Sequence, residues 1–490
     1  MKTIGHIDLI KDEYIHGWLG SHSEEVIPVI TANGTPCKLL GYHMERPDVA
    51  DVTGLSPLVG FVCETPPAQT GALHIKLYAL TSSGKLSLID SVEVNKSKQV
   101  FASPQVQTKG KKNVVLIWKQ HDAGLYGRRV DQIGRALAAT QDYQNVYILE
   151  LISSQQLASY KDSASLPESD KKFIYEDYCK KTGGFIFNGV IYKTLLMDEE
   201  QGRQNIIESY LSDNAITSDN SLFILFPLIS QYWQVLNAIQ DCVAICDCVD
   251  NQVVWSQDNP TPVLQQYANL CLFAKKVIFN SSANRKFFIK NSYCTTKKSA
   301  LIENWYKLPT DFQARNKISG PSEFNIVYSG NMNDRINWEL IKKLHDATDN
   351  NINIHLIGSA DIAIDNINRL IECSERFVFH GPMRENDLLS FLQTCDLAIM
   401  PHIHDSCSTF MNPLKLHMYA ALGLHCVTTF VPGIDSSLDH ITISKNDSDF
   451  IAQCIKFIEH PVSKKRLFRF NKDKHMKAYI NMVNKILRSF

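Results

Sequence analysis

A lysine near the start of a helix is the first feature of this sequence that could do chemistry. The stretch from Asp396 to Val431 is typical of a buried strand, a polar loop, a helix and a second strand. We predict that Asn412 caps this helix and that Pro413 occupies its first turn. Lys415 lies in the same turn, where the helix dipole disfavours a cation by roughly 0.3–1 kcal/mol. Because the unpaired N–H groups of a helix start attract phosphate, the lysine indicates a bound anion.

Two assignments in this segment stay open. Lys415 could also be a solvated lysine on an ordinary β–loop–α unit. In the adjoining loop, His404 and Asp405 could contact the ligand bound at this helix, since an imidazole beside a phosphate-binding helix can pair with an anionic group. A single histidine more often has a structural role, so a structural function is the alternative for this pair.

The composition excludes several classes of protein. Lys and Arg total 50 against 51 Asp and Glu, so net charge gives no support for nucleic acid binding, and phosphate recognition must be local. Thirteen scattered cysteines favour a reducing compartment over a disulfide framework. The closest set is Cys242, Cys246 and Cys248, which lacks a second half, so we predict no metal site. Without a signal-peptide core or an apolar run of about 20 residues, the chain is expected to be cytoplasmic.

The pattern of elements divides the chain into a β-rich start, two α/β series and a basic end. Short strands between turn clusters such as Asn33-Gly34 predict a small antiparallel β-sandwich first. Strands alternating with helices then predict two parallel sheets, the second beginning at Phe324. Two such sheets in succession place a ligand cleft between them, at the carboxyl ends of the strands. The predicted domain bounds are 1–105, 106–310, 311–460 and 461–490.

Several segments occur in the order of a known family. They are ICDCVD at Ile245–Asp250, VIFNSS at Val277–Ser282, IENW at Ile302–Trp305, IVYSGNMNDRINWELI at Ile326–Ile341, FHGPM at Phe379–Met383 and NPLKLHMYAALG at Asn412–Gly423. With them the chain resembles GT-B glycosyltransferases, in particular the family 4-like, retaining bacterial group that includes teichuronic-acid-type transferases. The resemblance implies two Rossmann-like domains facing a cleft, preceded here by the small all-β sandwich.

The N-terminal sandwich carries a resemblance of its own. The opening GHIDLIKDEYIHGWL, followed by RPDV at Arg46–Val49 and GF at Gly60–Phe61, is similar to an accessory β-domain attached to bacterial surface-polysaccharide enzymes. Trp18 and Phe61 could stack on a sugar face, and core packing is the alternative for both.

The resemblance implies a nucleotide-sugar donor whose diphosphate lies in the cleft. By position, Gly330 and Arg335 in the first loop of the second α/β domain join Asn412, Pro413 and Lys415 as donor-binding candidates. Cations and helix N–H groups aimed at the leaving diphosphate would stabilise the transition state. No metal or other cofactor is required when these cations do that work.

The sequence departs from the family at two positions. Members usually carry a glutamate five residues before the glycine that ends this helix and a second one eight residues earlier, but here these positions hold Met418 and Phe410. Both absences leave the retaining mechanism open, together with an altered donor, a different active-site arrangement or lost activity.

Acceptor-side chemistry would come from the first α/β domain. His121 and Asp122, in the loop after the first strand, could act as a base toward an acceptor hydroxyl, with loop capping and simple exposure as alternatives. Asp247 and Asp250 are similar to the paired acids of the family and could order the cleft loop rather than react.

The predicted function is transfer of a sugar to a growing cell-surface glycan such as a capsule or O-antigen, with a glycan or lipid-linked acceptor as partner. The alternatives are a catalytically silent GT-B relative that binds glycan or scaffolds an assembly, and a nucleotide-sugar epimerase. The C-terminal segment from Lys464 is basic with an apolar stripe at helical spacing. In GT-B folds such a helix crosses back to the first domain, and its basic face could also contact an anionic membrane, which makes a peripheral location at the inner face of the membrane an alternative.

Overall fold

The first domain of the chain is a sandwich of two four-stranded sheets. In the computed structural model, the described residues are 3–11, 14–66, 72–95, 112–118, 127–162, 168–197, 206–229, 231–256, 259–310, 312, 323–332, 334–349, 351–360, 363–403, 405, 408–434, 440–460 and 473–489. The elements of the sandwich are β1 (Thr3–Lys11), β2 (Tyr14–Ser21), β3 (Val26–Ala32), β4 (Thr35–Pro36), β5 (Lys38–Glu45), α1 (Pro47–Thr53), β6 (Leu58–Glu64), β7 (Ala72–Thr81) and β8 (Leu86–Asn95). Their antiparallel order is β1-β2-β6-β5 in one sheet and β4-β3-β7-β8 in the other.

Phe61 packs in the core of the sandwich, which was the alternative to stacking on a sugar. Phe61 is 2% exposed and lies in the core between the sheets, while Trp18 is half-buried against the short helix α1. Asn33 and Gly34 both have positive φ, as the two central residues of a type I′ hairpin require, so the turn predicted there is confirmed.

The second domain is built on an eight-stranded sheet. Its elements are β9 (Asn113–Trp118), α2 (Arg129–Ala138), β10 (Val146–Ile152), α3 (Ser154–Asp162), α4 (Glu168–Gly183), β11 (Phe185–Phe187), β12 (Val190–Leu196), α5 (Ile206–Asp213), β13 (Ser221–Leu225), α6 (Tyr232–Ala238), β14 (Val243–Cys248), α7 (Thr261–Phe273), β15 (Lys276–Phe279), α8 (Ser282–Lys290) and β16 (Ser299–Leu301). The strand order is β11-β12-β10-β9-β13-β14-β15-β16, and every pair except β11–β12 is parallel. The central strands are buried on both faces because helices cover both sides.

The third domain has a six-stranded, all-parallel sheet. Its elements are β17 (Phe324–Ser329), α9 (Trp338–Asp346), β18 (Ile352–Ile357), α10 (Ile364–Cys373), β19 (Phe377–Phe379), α11 (Glu385–Leu392), β20 (Leu397–Met400), α12 (Leu414–Ala421), β21 (Cys426–Thr428), β22 (Ile441–Ile443) and α13 (Asp447–Glu459). The strand order is β19-β18-β17-β20-β21-β22. Asn337 caps α9 by accepting a hydrogen bond from the Leu340 amide. The loops that follow the first strands contain Gly330, Gly358 and Gly381, all with positive φ.

The last helix, α14 (Asp473–Leu487), returns to the second domain. Tyr479, Val483 and Ile486 are buried in the same apolar core as β9, β10 and α2, so the predicted crossing and its apolar stripe are observed. The described part of the chain contains no helix with the length and apolar character needed to cross a membrane. The exact domain bounds stay a prediction.

The sandwich shares apolar core with the second domain. Ile27 and Val29 of β3 and Leu86 of β8 pack in one cluster with Leu264 of α7 and Phe288 of α8. The backbone also joins the two, because the amide of Leu86 donates a 2.9 Å hydrogen bond to the carbonyl of Asn291. β3 is buried on both faces as a result, since one face meets the sandwich core and the other meets α7.

Candidate active site

The helix predicted to bind an anion begins one residue later than its sequence suggests. Pro413 is the N-cap of α12, and no side chain caps the first turn. The prediction that Asn412 caps the helix is therefore wrong. Its side-chain oxygen instead accepts a 3.1 Å hydrogen bond from the backbone amide of Asn304, in the segment that joins the two α/β domains. A tertiary contact has replaced the local cap.

The amine of Lys415 lies at the carboxyl end of β17, as a phosphate site of this fold requires. It donates a 2.8 Å hydrogen bond to the hydroxyl of Tyr328 and lies 4.1 Å from the centroid of that ring. A Cβ on Gly330 would come within 2.7 Å of the amine, and Gly330 has φ +135°. Glycine at this position therefore provides both the backbone conformation and the space that the lysine occupies.

Arg335 brings a second cation to the same region from the loop after β17. Its guanidinium lies over the indole ring of Trp255, 4.5 Å from the centroid, and contacts the thioether of Met411. Trp255 ends a short 3-10 helix of the second domain (Gln252–Trp255) and is 44% exposed. The two α/β domains therefore meet at this cation, as expected for a cleft.

Electrostatics at Lys415 favour an anionic ligand. Burial, with the positive charges of Arg335 and Arg128, lowers the pKa of the Lys415 amine to about 7. Within the described ranges, no carboxylate forms an ion pair with this amine. A bound diphosphate would offset the repulsion among the cations and would raise the pKa of the lysine.

A buried histidine contacts the same tyrosine hydroxyl as this lysine. His402 is 6% exposed, and its Nε2 lies 3.2 Å from the Tyr328 hydroxyl that also accepts from Lys415. Burial and the charges of Lys415 and Arg335 hold the pKa of His402 well below its usual range, so the imidazole is neutral. Since the Tyr328 hydroxyl donates to the carbonyl of Asn331, both His402 and Lys415 donate to its oxygen.

Three residues of this site are not predicted from the sequence, namely Tyr328, His402 and Trp255. Tyr328 lies in a buried strand and reads as part of its apolar run, and His402 directly follows the proline after β20. Trp255 is far from the other residues in the chain, so no local pattern connects it to them. The signal available in the sequence was a tryptophan shortly after the ICDCVD segment.

The other predicted site residues fall in three groups. His121, Asp122 and His404 lie outside the described residues, so their roles stay predictions. Asp405 is held within its own loop, since its carboxylate accepts hydrogen bonds from the amide (2.6 Å) and the hydroxyl of Ser408. Pro413 lies at the start of α12, beside the lysine.

The two positions that depart from the family pattern have apolar surroundings. Met418 is 5% exposed and packs in the core beneath α12. Phe410 lies against Phe287 of α8, with 5.9 Å between ring centroids, and its carbonyl accepts a 2.8 Å hydrogen bond from the hydroxyl of Ser281. At Phe410 the loop before α12 is thus fixed to the second domain by packing, where the family has a carboxylate.

The paired acids of the ICDCVD segment have structural contacts. Asp247 is fully buried and forms an ion pair with Arg129, with 3.1 Å between Oδ1 and Nε. Asp250 has φ +58° and exchanges two 3.4 Å hydrogen bonds with Asn280. These contacts order the loop at the edge of the cleft, which was the alternative to a direct role in reaction.

Three buried thiols are the described group that could hold a metal ion. The sulfurs of Cys246, Cys248 and Cys271 all lie within 4.8 Å of one another. The third thiol of this group is that of Cys271 in α7, whereas proximity in the sequence grouped Cys242 with Cys246 and Cys248. All three are fully buried among apolar side chains, where free cysteine commonly packs as a small hydrophobic residue.

Comparison with known proteins identifies the type of domain that carries Lys415. Residues 323–460 match the family described as glycosyl transferases group 1. No curated protein matches the chain by sequence. Sucrose-phosphate synthase from Thermosynechococcus elongatus has a similar structure, with a TM-score of 0.53 and 13% identity over 77% of this chain and 99% of that one. HepE from Anabaena, described in complex with UDP and glucose, is similar with a TM-score of 0.51 and 11% identity, over 77% of this chain and 100% of that one.

The fold predicted from the sequence is confirmed as GT-B, two Rossmann-like domains facing a cleft, with an all-β domain before them. The predicted enzyme class, a nucleotide-sugar-dependent glycosyltransferase, is also confirmed, since the donor-side domain matches glycosyl transferases group 1. The narrower assignment to the family 4-like, teichuronic-acid-type group stays a prediction.

Proposed function

We propose that the protein transfers a sugar from a nucleoside diphosphate sugar to a growing cell-surface glycan. The observation that carries this proposal is the Lys415 amine, which lies against Gly330 and has Arg335 as a neighbouring cation. Glycosyl transfer releases a nucleoside diphosphate whose negative charge grows in the transition state, and two cations at the start of an uncapped helix match that charge. Because these cations neutralise the leaving group, the reaction needs no metal or other cofactor.

The diphosphate lies between the start of α12 and the loop after β17. HepE, similar in fold, is described in complex with UDP and glucose, which supports a uridine diphosphate sugar as the first donor to test. His404 and Asp405, which lie in the sequence between β20 and α12, are proposed to contact the donor. His121 and Asp122 are proposed to receive the proton of the acceptor hydroxyl.

The acceptor is a glycan or a lipid-linked glycan presented at a membrane surface. Lys474, Lys477, Lys485 and Arg488 of the C-terminal segment are exposed, on the side of α14 away from the buried Tyr479. Each such cation near an anionic lipid surface contributes about 1 kcal/mol to binding. Peripheral contact through this basic side would bring the cleft to a lipid-linked acceptor.

A second candidate is a catalytically silent relative that binds glycan or scaffolds an assembly. The observation that favours it is the apolar environment of Met418 and Phe410, where members of the resembled family carry carboxylates. Such a protein would keep the diphosphate site without turning over a donor.

A donor panel separates these candidates. The purified chain is incubated with UDP-, GDP- and ADP-linked sugars, with and without glycan acceptors. Release of nucleoside diphosphate, the identity of the remaining nucleotide sugar and binding of the free nucleotides are measured. Release that increases with acceptor supports the transferase, and donor conversion without acceptor would identify an epimerase instead. Binding of UDP without turnover of any donor would favour the silent relative. Binding of none of the nucleotides would overturn the proposal itself.

A further inference from the structure

Asn304 connects the two α/β domains next to the diphosphate site. It lies in the segment after β16 and is 4% exposed. Its backbone amide donates a 3.1 Å hydrogen bond to the side-chain oxygen of Asn412, and its side-chain Nδ2 donates to the carbonyl of Asn412. The residue that directly precedes the N-cap of α12 is therefore held by two hydrogen bonds from a single neighbour.

The other end of the Asn304 carboxamide is fixed by the second domain. Its Oδ1 accepts a 2.9 Å hydrogen bond from Nη1 of Arg129. Arg129 is itself held by Asp247 and by the carbonyl of Ile302, and the hydroxyl of Tyr479 donates a 2.9 Å hydrogen bond to Asp247. With a guanidinium on one side and a carbonyl on the other, the carboxamide has a single orientation that satisfies both partners.

We propose that Asn304 is a positioning residue that fixes the loop before α12, and so the approach of Lys415 to the diphosphate. The inference rests on the proposed function, since it assigns a role in holding that ligand. Asn304 acts through Asn412 and does not itself contact the reacting groups.

From α12 itself, Nε2 of His417 lies 3.2 Å from Oδ1 of Asn412, but the carbonyl of Asn412 is held by Asn304. No side chain caps the first turn of α12. Ser281, the N-cap of α8, also anchors the loop, because its hydroxyl donates to the carbonyl of Phe410. Asn304 and Ser281 both lie outside the third domain, so the geometry of the anion site depends on how the domains are joined. A buried chain of hydrogen bonds then links α14, through Tyr479 and Asp247, to the donor site.

The test measures UDP binding by titration calorimetry, with ADP and GDP alongside, together with the thermal unfolding midpoint of each variant. Asn304→Ala is expected to weaken nucleotide binding by about tenfold or more, which corresponds to loss of the fixed loop. Asn304→Asp keeps an acceptor for Arg129, and so the fold, but has no donor for the carbonyl of Asn412. It is expected to weaken binding to a similar extent.

Asn325→Ala is the matched control. Asn325 is a buried asparagine of the third domain, at the start of β17, and its Oδ1 is 3.1 Å from Nε2 of His355. The substitution should lower the unfolding midpoint and leave UDP affinity within about twofold of wild type. If Asn304→Ala binds UDP as tightly as wild type, the inference is overturned.

Asn412→Ala tests the route of the effect, because it removes the other of the two hydrogen bonds, in which the backbone amide of Asn304 donates to the side-chain oxygen of Asn412. This variant is also expected to weaken UDP binding, and UDP affinity equal to that of wild type in Asn412→Ala would overturn the inference. A wild-type chain that binds none of the three nucleotides would overturn the proposed function first, so the two failures are distinguishable.

Discussion

The guanidinium of Arg335 stacks on the indole ring of Trp255, although the two residues belong to different domains and are separated by the whole segment that joins them. The contact places one cation of the diphosphate site on a surface provided by the opposite side of the cleft. It also explains why Trp255 is partly exposed, since the residue covers the cleft rather than a core.

Removing this indole should weaken donor binding. An exposed cation–π contact contributes about 0.5–1 kcal/mol, so Trp255→Ala is expected to reduce UDP affinity by roughly two- to fivefold. Trp255→Phe should retain most of the affinity, because a smaller ring still supports the guanidinium. Calorimetric titration of the three proteins checks this, and tighter binding by Trp255→Ala would show instead that the indole holds Arg335 away from the ligand.

Loss of the phosphate-site cations should have larger effects. A hydrogen bond to a charged group contributes about 1.5–3 kcal/mol, so Lys415→Ala and Arg335→Ala are each expected to weaken UDP binding by roughly 10- to 100-fold. Both should also remove the rise in unfolding temperature that UDP produces. Lys343→Ala is the control, since that lysine is half exposed and lies 4.0 Å from Asp447, away from the site. A full thermal shift in both site variants would contradict the assignment.

UDP affinity should fall as pH rises above about 7. The pKa of Lys415 is lowered to about 7 by burial and by the neighbouring arginines, so the amine loses its charge on passing through neutrality. Terminal phosphate groups titrate with a pKa of about 6 and stay ionised over this interval, so the loss comes from the lysine. Calorimetry between about pH 6.5 and pH 9 measures the trend. Lys415→Arg, which keeps its charge, should bind with little dependence on pH.

The lowered pKa of Lys415 also determines whether the unliganded protein becomes more or less stable as pH rises. Because the folded pKa of Lys415 lies below its ordinary value of 10.5, the unfolded state binds more protons between about pH 7 and pH 10. This lysine therefore contributes increasing stability as pH rises through that interval. Comparing wild type with Lys415→Met across the interval isolates the contribution, and a falling difference would contradict it.

Breaking the ion pair between Arg135 and Glu385 should destabilise the whole protein. The guanidinium of α2 donates two hydrogen bonds to the carboxylate at the start of α11, which also accepts from the hydroxyl of Tyr306. Both partners are buried, so Glu385→Ala leaves an uncompensated charge and is expected to cost about 3–5 kcal/mol of unfolding free energy. Urea unfolding measures this cost. Lys342→Ala, which breaks an exposed pair with Asp346, should leave the urea midpoint almost unchanged, because solvent screens that pair.

Chelation should leave nucleotide binding intact. If Arg335 and Lys415 neutralise the diphosphate, excess EDTA will not reduce the thermal stabilisation by UDP. Loss of that stabilisation, restored by added Mg²⁺, would show that a divalent cation takes part in donor binding.

The sequence was sufficient for elements whose order follows from short-range patterns. The turn at Asn33-Gly34 and the start of the second parallel sheet at Phe324 are as predicted, because turn residues and apolar runs act within a few positions. The same reasoning failed at Asn412. A distant partner, Asn304, takes the side-chain oxygen that a local cap would have used.

The contacts that define the site could not be predicted in this way. Arg129 and Asp247 are 118 positions apart. Nothing in either segment indicates that Arg129, the second of two consecutive arginines, is buried while Arg128 remains near Lys415. The use of Tyr328 as a support for Lys415 depends on the packing of α12 against β17. These relationships come from tertiary structure, whereas Gly330 and Lys415 were recognisable from their positions relative to strand and helix ends.

The apolar cluster shared by the sandwich and the second domain determines which parts of this protein can exist separately. A fragment beginning at Lys112 would leave Leu264 of α7 and Phe288 of α8 without Ile27 and Leu86. It would therefore expose an apolar surface that favours aggregation. The N-terminal region is therefore not an interchangeable attachment, because grafting it onto another transferase would require a matching helix surface on the recipient. The sheet β4-β3-β7-β8 is occupied by its contact with the second domain. Substitutions that give the sandwich a new binding surface are therefore expected on the other sheet, β1-β2-β6-β5.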